Sequence, residues 1–137
     1  MAQTQIRVIP IDTRGRGRLD RLKLTRDLKA AMIATTANGQ RFIARYPAQR
    51  LTKSNYRRTG TLKRSWSSTV QVSGSRMVGI VGSNSNIAPY NRFVQGTPKE
   101  VVKMFPQAGW KGVDDLDRVL ENELNKRVFS IMEAFVR

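Results

Sequence analysis

The sequence predicts an α+β domain: a long N-terminal helix and a C-terminal helix packed on a small antiparallel sheet with a β-hairpin. Three observations carry that expectation. Apolar residues recur at helical spacing over 25–46 and again over 114–135. Between them, residues 65–83 alternate in two extended runs joined by Ser73-Gly74-Ser75. The 137-residue length suits one domain, and no internal repeat divides it.

Residues 1–24 read as a basic flexible arm, and residues 25–137 as the domain. Within the arm, Ile6, Val8 and Ile11 suit a short edge strand that Pro10 interrupts. The run Thr13-Arg14-Gly15-Arg16-Gly17-Arg18 has no apolar side chain and two glycines, the composition of a flexible segment. The first helix is expected over about 25–46, with Thr25 as N-cap and Asp27 favourably placed in the first turn. Leu28, Ala31, Met32, Thr35, Phe42, Ile43 and Tyr46 share one face of it. Asn38-Gly39 is its weak point, where a kink or a division into two pieces is expected. Pro47 starts the exit, and residues 47–60 form a basic connection with little periodicity.

Trp66, Ser68, Val70 and Val72 then share one side of a strand; Ser65, Ser67, Thr69 and Gln71 share the other. After the turn, Val78 and Ile80 continue on one face with Val81 opposite, and the run from Gly82 to Asn86 ends the hairpin. Pro89 suits the first turn of a short helix that places Tyr90, Phe93 and Val94 on one side and stops at Gly96. Val101, Val102, Met104 and Phe105 suggest a further strand. Asp114 suits the cap of the last helix, with Asp115 and Asp117 in its first turn. Its apolar stripe is Leu116, Val119, Leu120, Leu124, Val128, Ile131, Met132 and Phe135.

Charge is distributed unevenly. Residues 1–27 hold seven basic and three acidic side chains, 28–99 twelve and none, and 100–137 six and seven, for a net charge of +15. A 72-residue stretch without a carboxylate repels itself unless an anionic partner neutralises it. Nucleic acid and the acidic surface of another protein both fit. Arg14, Arg16 and Arg18 alternate with glycine, a pattern that lies in a DNA minor groove or docks on an acidic protein face. Arg41, Arg45, Arg50, Lys53, Arg57, Arg58, Lys63 and Arg64 form the main basic tract. Tyr46, Tyr56 and Trp66 interleave with it, as in a single-strand groove. Tyr46 and Trp66 nevertheless fall on apolar faces, so core packing is their expected role. Tyr90 and Phe93 are assigned to core or subunit interface on the same ground.

Little in the chain suggests covalent chemistry. Cys is absent, so disulfides and thiolate metal sites are excluded. His is absent too, removing the commonest general base and zinc ligand. Asp114, Asp115 and Asp117 offer oxygens to a divalent cation, but the start of a helix selects the same residues. Ser65 beside Lys63 is a weak nucleophile–base pair on a strand where Ser is common. There is no phosphate loop ending in Gly-Lys-Ser/Thr. No enzyme activity, metal or cofactor is expected. No apolar run approaches bilayer-spanning length, and the first twelve residues do not read as a secretory signal.

One block remains: Tyr56-Arg57-Arg58-Thr59-Gly60-Thr61-Leu62-Lys63-Arg64-Ser65, a hairpin ending Val78-Gly79-Ile80-Val81-Gly82-Ser83, then Pro89-Tyr90-Asn91-Arg92-Phe93-Val94-Gln95-Gly96-Thr97. With a long helix before it and another after, this order resembles the small neck and tail-completion proteins of tailed bacteriophages, also labelled minor tail component or head–tail connector. The resemblance spans about residues 25–136. Gln95 departs from it, because an acidic residue is expected there, and the basic arm is an addition. The resemblance implies a virion structural protein, assembled in the bacterial host cytoplasm, that forms an oligomeric ring at the head–tail junction or tail end. Its implied partners are copies of itself, portal or adaptor proteins, and tail-tube or tail-terminator proteins. DNA contact is possible in that setting and membrane contact is not expected. In that reading Thr59, Gly60 and Leu62 start the sheet at a tight turn. Tyr90, Phe93, Gly96, Thr97 and Pro98 face a neighbour. Arg14, Arg16, Arg18, Arg41, Arg45, Arg57, Arg58 and Arg64 meet DNA or an acidic protein surface. Charge segregation adds an expectation that the acidic C-terminal helix of one subunit faces the basic 41–64 tract of the next. The alternative is a basic nucleic-acid-binding protein acting as a monomer.

Overall fold

In a computed structural model, residues 3–8, 18–45, 61–74, 76–107 and 109–135 are described, with strand 3–8, residues 18–20 and Met104 described in their backbone alone. The order is β1 (Gln3–Val8), α1 (Arg18–Ile43), α2 (Thr61–Ser65), β2 (Trp66–Ser73), β3 (Arg76–Ser83), α3 (Asn91–Gln95), α4 (Met104–Gln107) and α5 (Val113–Phe135). The fold is α+β: the two long helices α1 and α5 pack on an antiparallel sheet built around the β2–β3 hairpin. β3 is the central strand, in the order β1-β3-β2. Its register runs from Trp66 opposite Ser83 to Ser73 opposite Arg76 on one side, and from Gln3 opposite Gly82 to Val8 opposite Met77 on the other.

Both long helices depart from their expected starts. α1 begins at Arg18, seven residues before the expected cap. Thr25 sits inside the helix, its hydroxyl donating to the Arg21 carbonyl, so it caps nothing. Part of the expected arm is therefore strand β1 and the first turns of α1. At the other end of the chain, α5 starts at Val113, and Asp115, not Asp114, caps it: its Oδ2 accepts the Gly112 N–H at 3.0 Å. This is the acidic half of a capping box, reaching back from the third helical residue.

The expected kink at Asn38-Gly39 is absent, because α1 runs unbroken through it. At Gly39 the α1 backbone lies directly against α5 side chains. A Cβ there would lie 2.3 Å from Leu120 Cδ2, and Leu120 is wholly buried. α1 and α5 are antiparallel: Asn38 donates to Glu123, and Asp27, Ala30 and Ala34 line a groove with Lys126, Arg127 and Ser130. Ile43, Trp66, Val81, Leu116 and Leu120 fill the core at one end of this layer, and Met32, Met77 and Leu124 fill it at the other. The expected stripe of α5 holds, with Leu116, Leu120 and Leu124 buried.

On β3 the inward face is Met77, Gly79, Val81 and Ser83, while Val78 and Ile80 lie half-buried on the outer face. Val81 is thus the core residue. Ser67, Thr69 and Gln71 face outward on β2 as expected, and Val72 is exposed at its far end.

Two further expectations give way. Thr61–Ser65 forms a helical turn before β2, not the start of the sheet. The segment around Val101, Val102, Met104 and Phe105 forms no strand. The Thr97 carbonyl accepts the N–H groups of Glu100 and Val101, which turns the chain, and α4 follows. Phe105 then packs edge-on against Trp110, 6.3 Å between ring centres.

Candidate functional site

The motif segments on either side of the hairpin meet at one corner of the molecule, and Gln95 holds that corner together. Gln95 is 1 % exposed. Its Nε2 donates to the Ile43 carbonyl at 2.6 Å, and its Oε1 accepts the Trp66 indole N–H at 3.0 Å. Ile43 ends α1, where carbonyls have no partner within the helix. One amide thus satisfies the Ile43 carbonyl and ties it to the first residue of β2. Gln40 adds a second tie: its Nε2 donates to the Trp66 carbonyl at 3.0 Å, and its Oε1 accepts the Ser68 hydroxyl at 2.8 Å.

A second polar chain runs beside the first. Ser65 donates to the Leu62 carbonyl at 2.6 Å, and its oxygen lies 2.9 Å from Ser83 Oγ. Asn91 Nδ2 donates to Ser83 Oγ at 2.9 Å. A hydroxyl has one proton, so the direction is set: Asn91 donates to Ser83, Ser83 to Ser65, and Ser65 to Leu62. The chain joins α3, the end of β3 and α2, all of it buried. The Asn84 N–H closes the hairpin base on the Ser65 carbonyl at 2.8 Å. Leu62, Ala88, Val94, Phe105 and Trp110 pack as an apolar cluster in the same corner.

The residues assigned to an interface therefore divide. Leu62 and Gly96 are buried inside the subunit and are not offered to a neighbour. Gly96 has φ −79°, an ordinary value, so left-handed backbone is not why glycine stands there. The reason is space: a Cβ would lie 2.2 Å from the Arg92 carbonyl oxygen. Tyr90, Phe93, Thr97 and Pro98 are exposed, whereas Asn91, Val94 and Gln95 form the inward side of α3. The expected grouping of Tyr90 and Phe93 with Val94 is corrected accordingly. Tyr90 and Phe93 lie on the surface with Ile87 and Val102, and the Val102 N–H donates to the Phe93 carbonyl at 2.9 Å. The Arg92 guanidinium stacks over the Phe93 ring, 4.7 Å from its centre. Thr59 and Gly60 lie outside the described residues.

Among the basic candidates, Arg41, Arg45 and Arg64 are exposed, and Arg41 donates to the Asn38 side-chain oxygen. Arg14, Arg16, Arg57 and Arg58 lie outside the described residues, as do Arg50, Lys53, Tyr46 and Tyr56, while Arg18 opens α1. Trp66 is core, as expected.

The chemical alternatives have other occupations. Asp115 is held by the Gly112 N–H and by Arg118 at 2.9 Å. Among the described residues no three acidic side chains are grouped to hold a metal ion. Ser65 is buried in its hydrogen-bonded chain while Lys63 is exposed, so the structure does not bring that pair together. No helix among the described residues is long and apolar enough to cross a membrane.

Sequence reasoning missed the junction role of Gln40, Ser83 and Asn91, because polar residues joined only by tertiary contact carry no periodic signal. It also passed over Ile33 and Phe129, which are exposed. Their signal was legible: each is a large apolar residue one position out of phase with its helix's stripe. No protein-family model, no curated protein and no solved structure matches this chain.

Proposed function

We propose that this chain is a structural subunit of a tailed-bacteriophage virion, a neck or tail-completion protein that forms a ring at the head–tail junction or tail end and catalyses no reaction. The observation that carries the reading is the division within the motif block. Leu62, Ser65, Val94, Gln95 and Gly96 build a rigid buried corner, and Tyr90, Phe93 and Val102 stand exposed on top of it. Large apolar side chains held outward on a braced corner are what an assembly contact requires. Its partners in this reading are copies of the chain and portal, adaptor, tail-tube or tail-terminator proteins. The excess of basic charge over 28–99 suits an anionic neighbour, acidic protein or the DNA in the channel.

The test is imaging of particles assembled with and without the chain. Heads lacking firmly attached tails are expected in its absence; infectious, fully tailed particles overturn the reading. Steeply salt-dependent DNA binding by a monomer supports the nucleic-acid alternative instead.

A further inference from the structure

β2 is an outer strand, and among the described residues no strand pairs with its far side. Two observations fix which of its backbone groups point that way. The Asn84 N–H donates to the Ser65 carbonyl, one step before Trp66 opposite Ser83. Bonded and non-bonded pairs alternate in an antiparallel ladder, so Ser67, Thr69, Gln71 and Ser73 bond to β3, while Ser68, Val70 and Val72 point their N–H and C=O groups outward. The Trp66 carbonyl has the same outward phase, and Gln40 of α1 donates its Nε2–H to it at 3.0 Å. Beyond that bond, no backbone partner among the described residues meets the edge from Ser68 to Val72. Open edges are normally blunted by charge, proline or a bulge. β2 carries none of these over Trp66–Ser73, whereas β1, the other outer strand, carries Arg7.

Helix α1 gives this edge a wall. Met32 lies over Gly79, the residue opposite Val70, since a Cβ on Gly79 would meet Met32 Sδ at 2.5 Å. Gln40, Ile33 and Lys29 are separated by near-whole turns, so they lie in one line along the side of α1 that leans over β2. Ile33, beside Met32, therefore stands level with Val70, and Lys29, one turn on, level with Val72. Ile33 is 49 % exposed and Val72 47 %. Apolar surface and unpaired main chain thus run side by side. The charge around them is of one sign: Lys29 and Arg76 are exposed at one end of the edge and Arg64 at the other, and residues 28–99 hold no carboxylate.

We propose that this edge receives an extended acidic segment of another protein, which adds a fourth strand beside β2. Unpaired N–H and C=O groups at strand spacing select an extended backbone as their partner. The stretch from Ser68 to Val72 seats about five residues, roughly 14 Å of strand. Alternate side chains of the incoming strand fall on the α1 side, where Ile33, Val70 and Val72 take apolar ones. Charge decides whose strand it is. Two copies pairing β2 with β2 would bring Lys29, Arg76 and Arg64 of one against those of the other, with no carboxylate on either edge. An acidic strand neutralises the same groups. The inference does not depend on the virion reading.

The experiment titrates the full chain with the peptide acetyl-Glu-Val-Thr-Val-Glu-Val-Glu-amide, read by calorimetry and by amide resonances. Saturable binding that shifts the amides of Ser68, Val70 and Val72 is expected. The same peptide with Lys in place of Glu should bind at least about tenfold more weakly. Methylating the backbone nitrogens of the valines blocks one edge of the peptide, and methylating those of the alternate residues blocks the other. One set should abolish binding and the other should leave it within about threefold, because a docked strand bonds through one edge only. On the protein, Val72→Pro removes an outward N–H and no ladder bond, so it should fold and weaken binding at least about tenfold. Lys29→Glu leaves the strand intact and should weaken binding by a similar factor, about tenfold. Circular dichroism melting checks the folding of both; if Val72→Pro does not fold, Lys29→Glu and the methylated peptides decide the matter. Absence of binding at millimolar peptide, equal loss from both methylated sets, or binding unchanged in both variants overturns the proposal. A wild type that dimerises and is returned to monomer by Val72→Pro gives the edge to a second copy, and overturns it too.

Discussion

Gln95 donates its Nε2–H to the carbonyl oxygen of Ile43 across 2.6 Å, fifty-two residues away in the chain. That bond decides the chemistry of the side chain. The position needs a donor toward Ile43 and an acceptor toward Trp66 at the same time, and an amide supplies both. An ionised carboxylate supplies acceptors only.

Gln95→Glu should therefore be strongly destabilising at neutral pH, by about 3 kcal/mol, because a buried carboxylate would face a carbonyl oxygen. The loss should depend on pH with a definite sign. A protonated carboxyl can donate to Ile43, so folding favours the protonated form and raises its pKa above the unfolded value of about 4.3. The variant should be close to wild type at acid pH and lose stability as pH rises through that raised value. Denaturant unfolding at several pH values checks this; a loss that is the same at every pH would refute the amide argument.

Gly39→Leu should destabilise by about 2 kcal/mol or more. The added side chain would occupy space already filled by Leu120 and Leu116, and the gain in helix propensity is only about 1 kcal/mol. Thermal unfolding measures it. A melting temperature equal to or above wild type would show that α1 and α5 separate without penalty.

Thr35→Val should stabilise. Thr35 is fully buried, and its hydroxyl has no hydrogen-bond partner among the described residues. Replacing it with a methyl of similar size removes an unsatisfied polar group, for a gain of about 1 kcal/mol. Equilibrium unfolding gives the value, and a loss of similar size would mean the hydroxyl is bonded.

Asp115→Ala should cost about 1 kcal/mol by freeing the Gly112 N–H at the start of α5. The exposed contact to Arg118 adds little. Arg118→Ala should consequently be nearly neutral in the same melting experiment, and a larger effect for Arg118 than for Asp115 would reverse the assignment.

Tyr90→Ser with Phe93→Ser should leave the fold close to wild-type stability, since both side chains are 40 % exposed. On the virion reading the same substitutions should abolish stable tail attachment. Particle imaging alongside melting separates the two effects; normal tails with an unaltered melt would remove this patch from the assembly contact.

Much of the architecture was legible in the sequence because helix and strand periods are local properties. The stripe of α5 and the hairpin turn at Ser73-Gly74 need only neighbouring residues to be read. The start of α1 was misplaced, although Leu24 stands four residues before Leu28 in phase with the stripe and is buried; Thr25 and Asp27 looked like a cap and first turn, and the helix runs on to Arg18. A false strand was read near Val101, where β-branched residues outvoted a turn made by the Thr97 carbonyl.

By itself the sequence determined two long amphipathic helices, an antiparallel hairpin, and a basic middle followed by an acidic end. Tertiary structure alone decided the rest. In β3 apolar side chains stand on both faces, so alternation does not say which side is buried; packing chose Met77, clustered with Met32 and Leu124, and Val81, clustered with Ile43, Leu116 and Leu120. Gln95 became a clamp only when α1, β2 and α3 met around it. The same packing turned Ile33 and Phe129 outward. Period sets which residues share a face, but only the neighbours present in three dimensions determine which faces are covered.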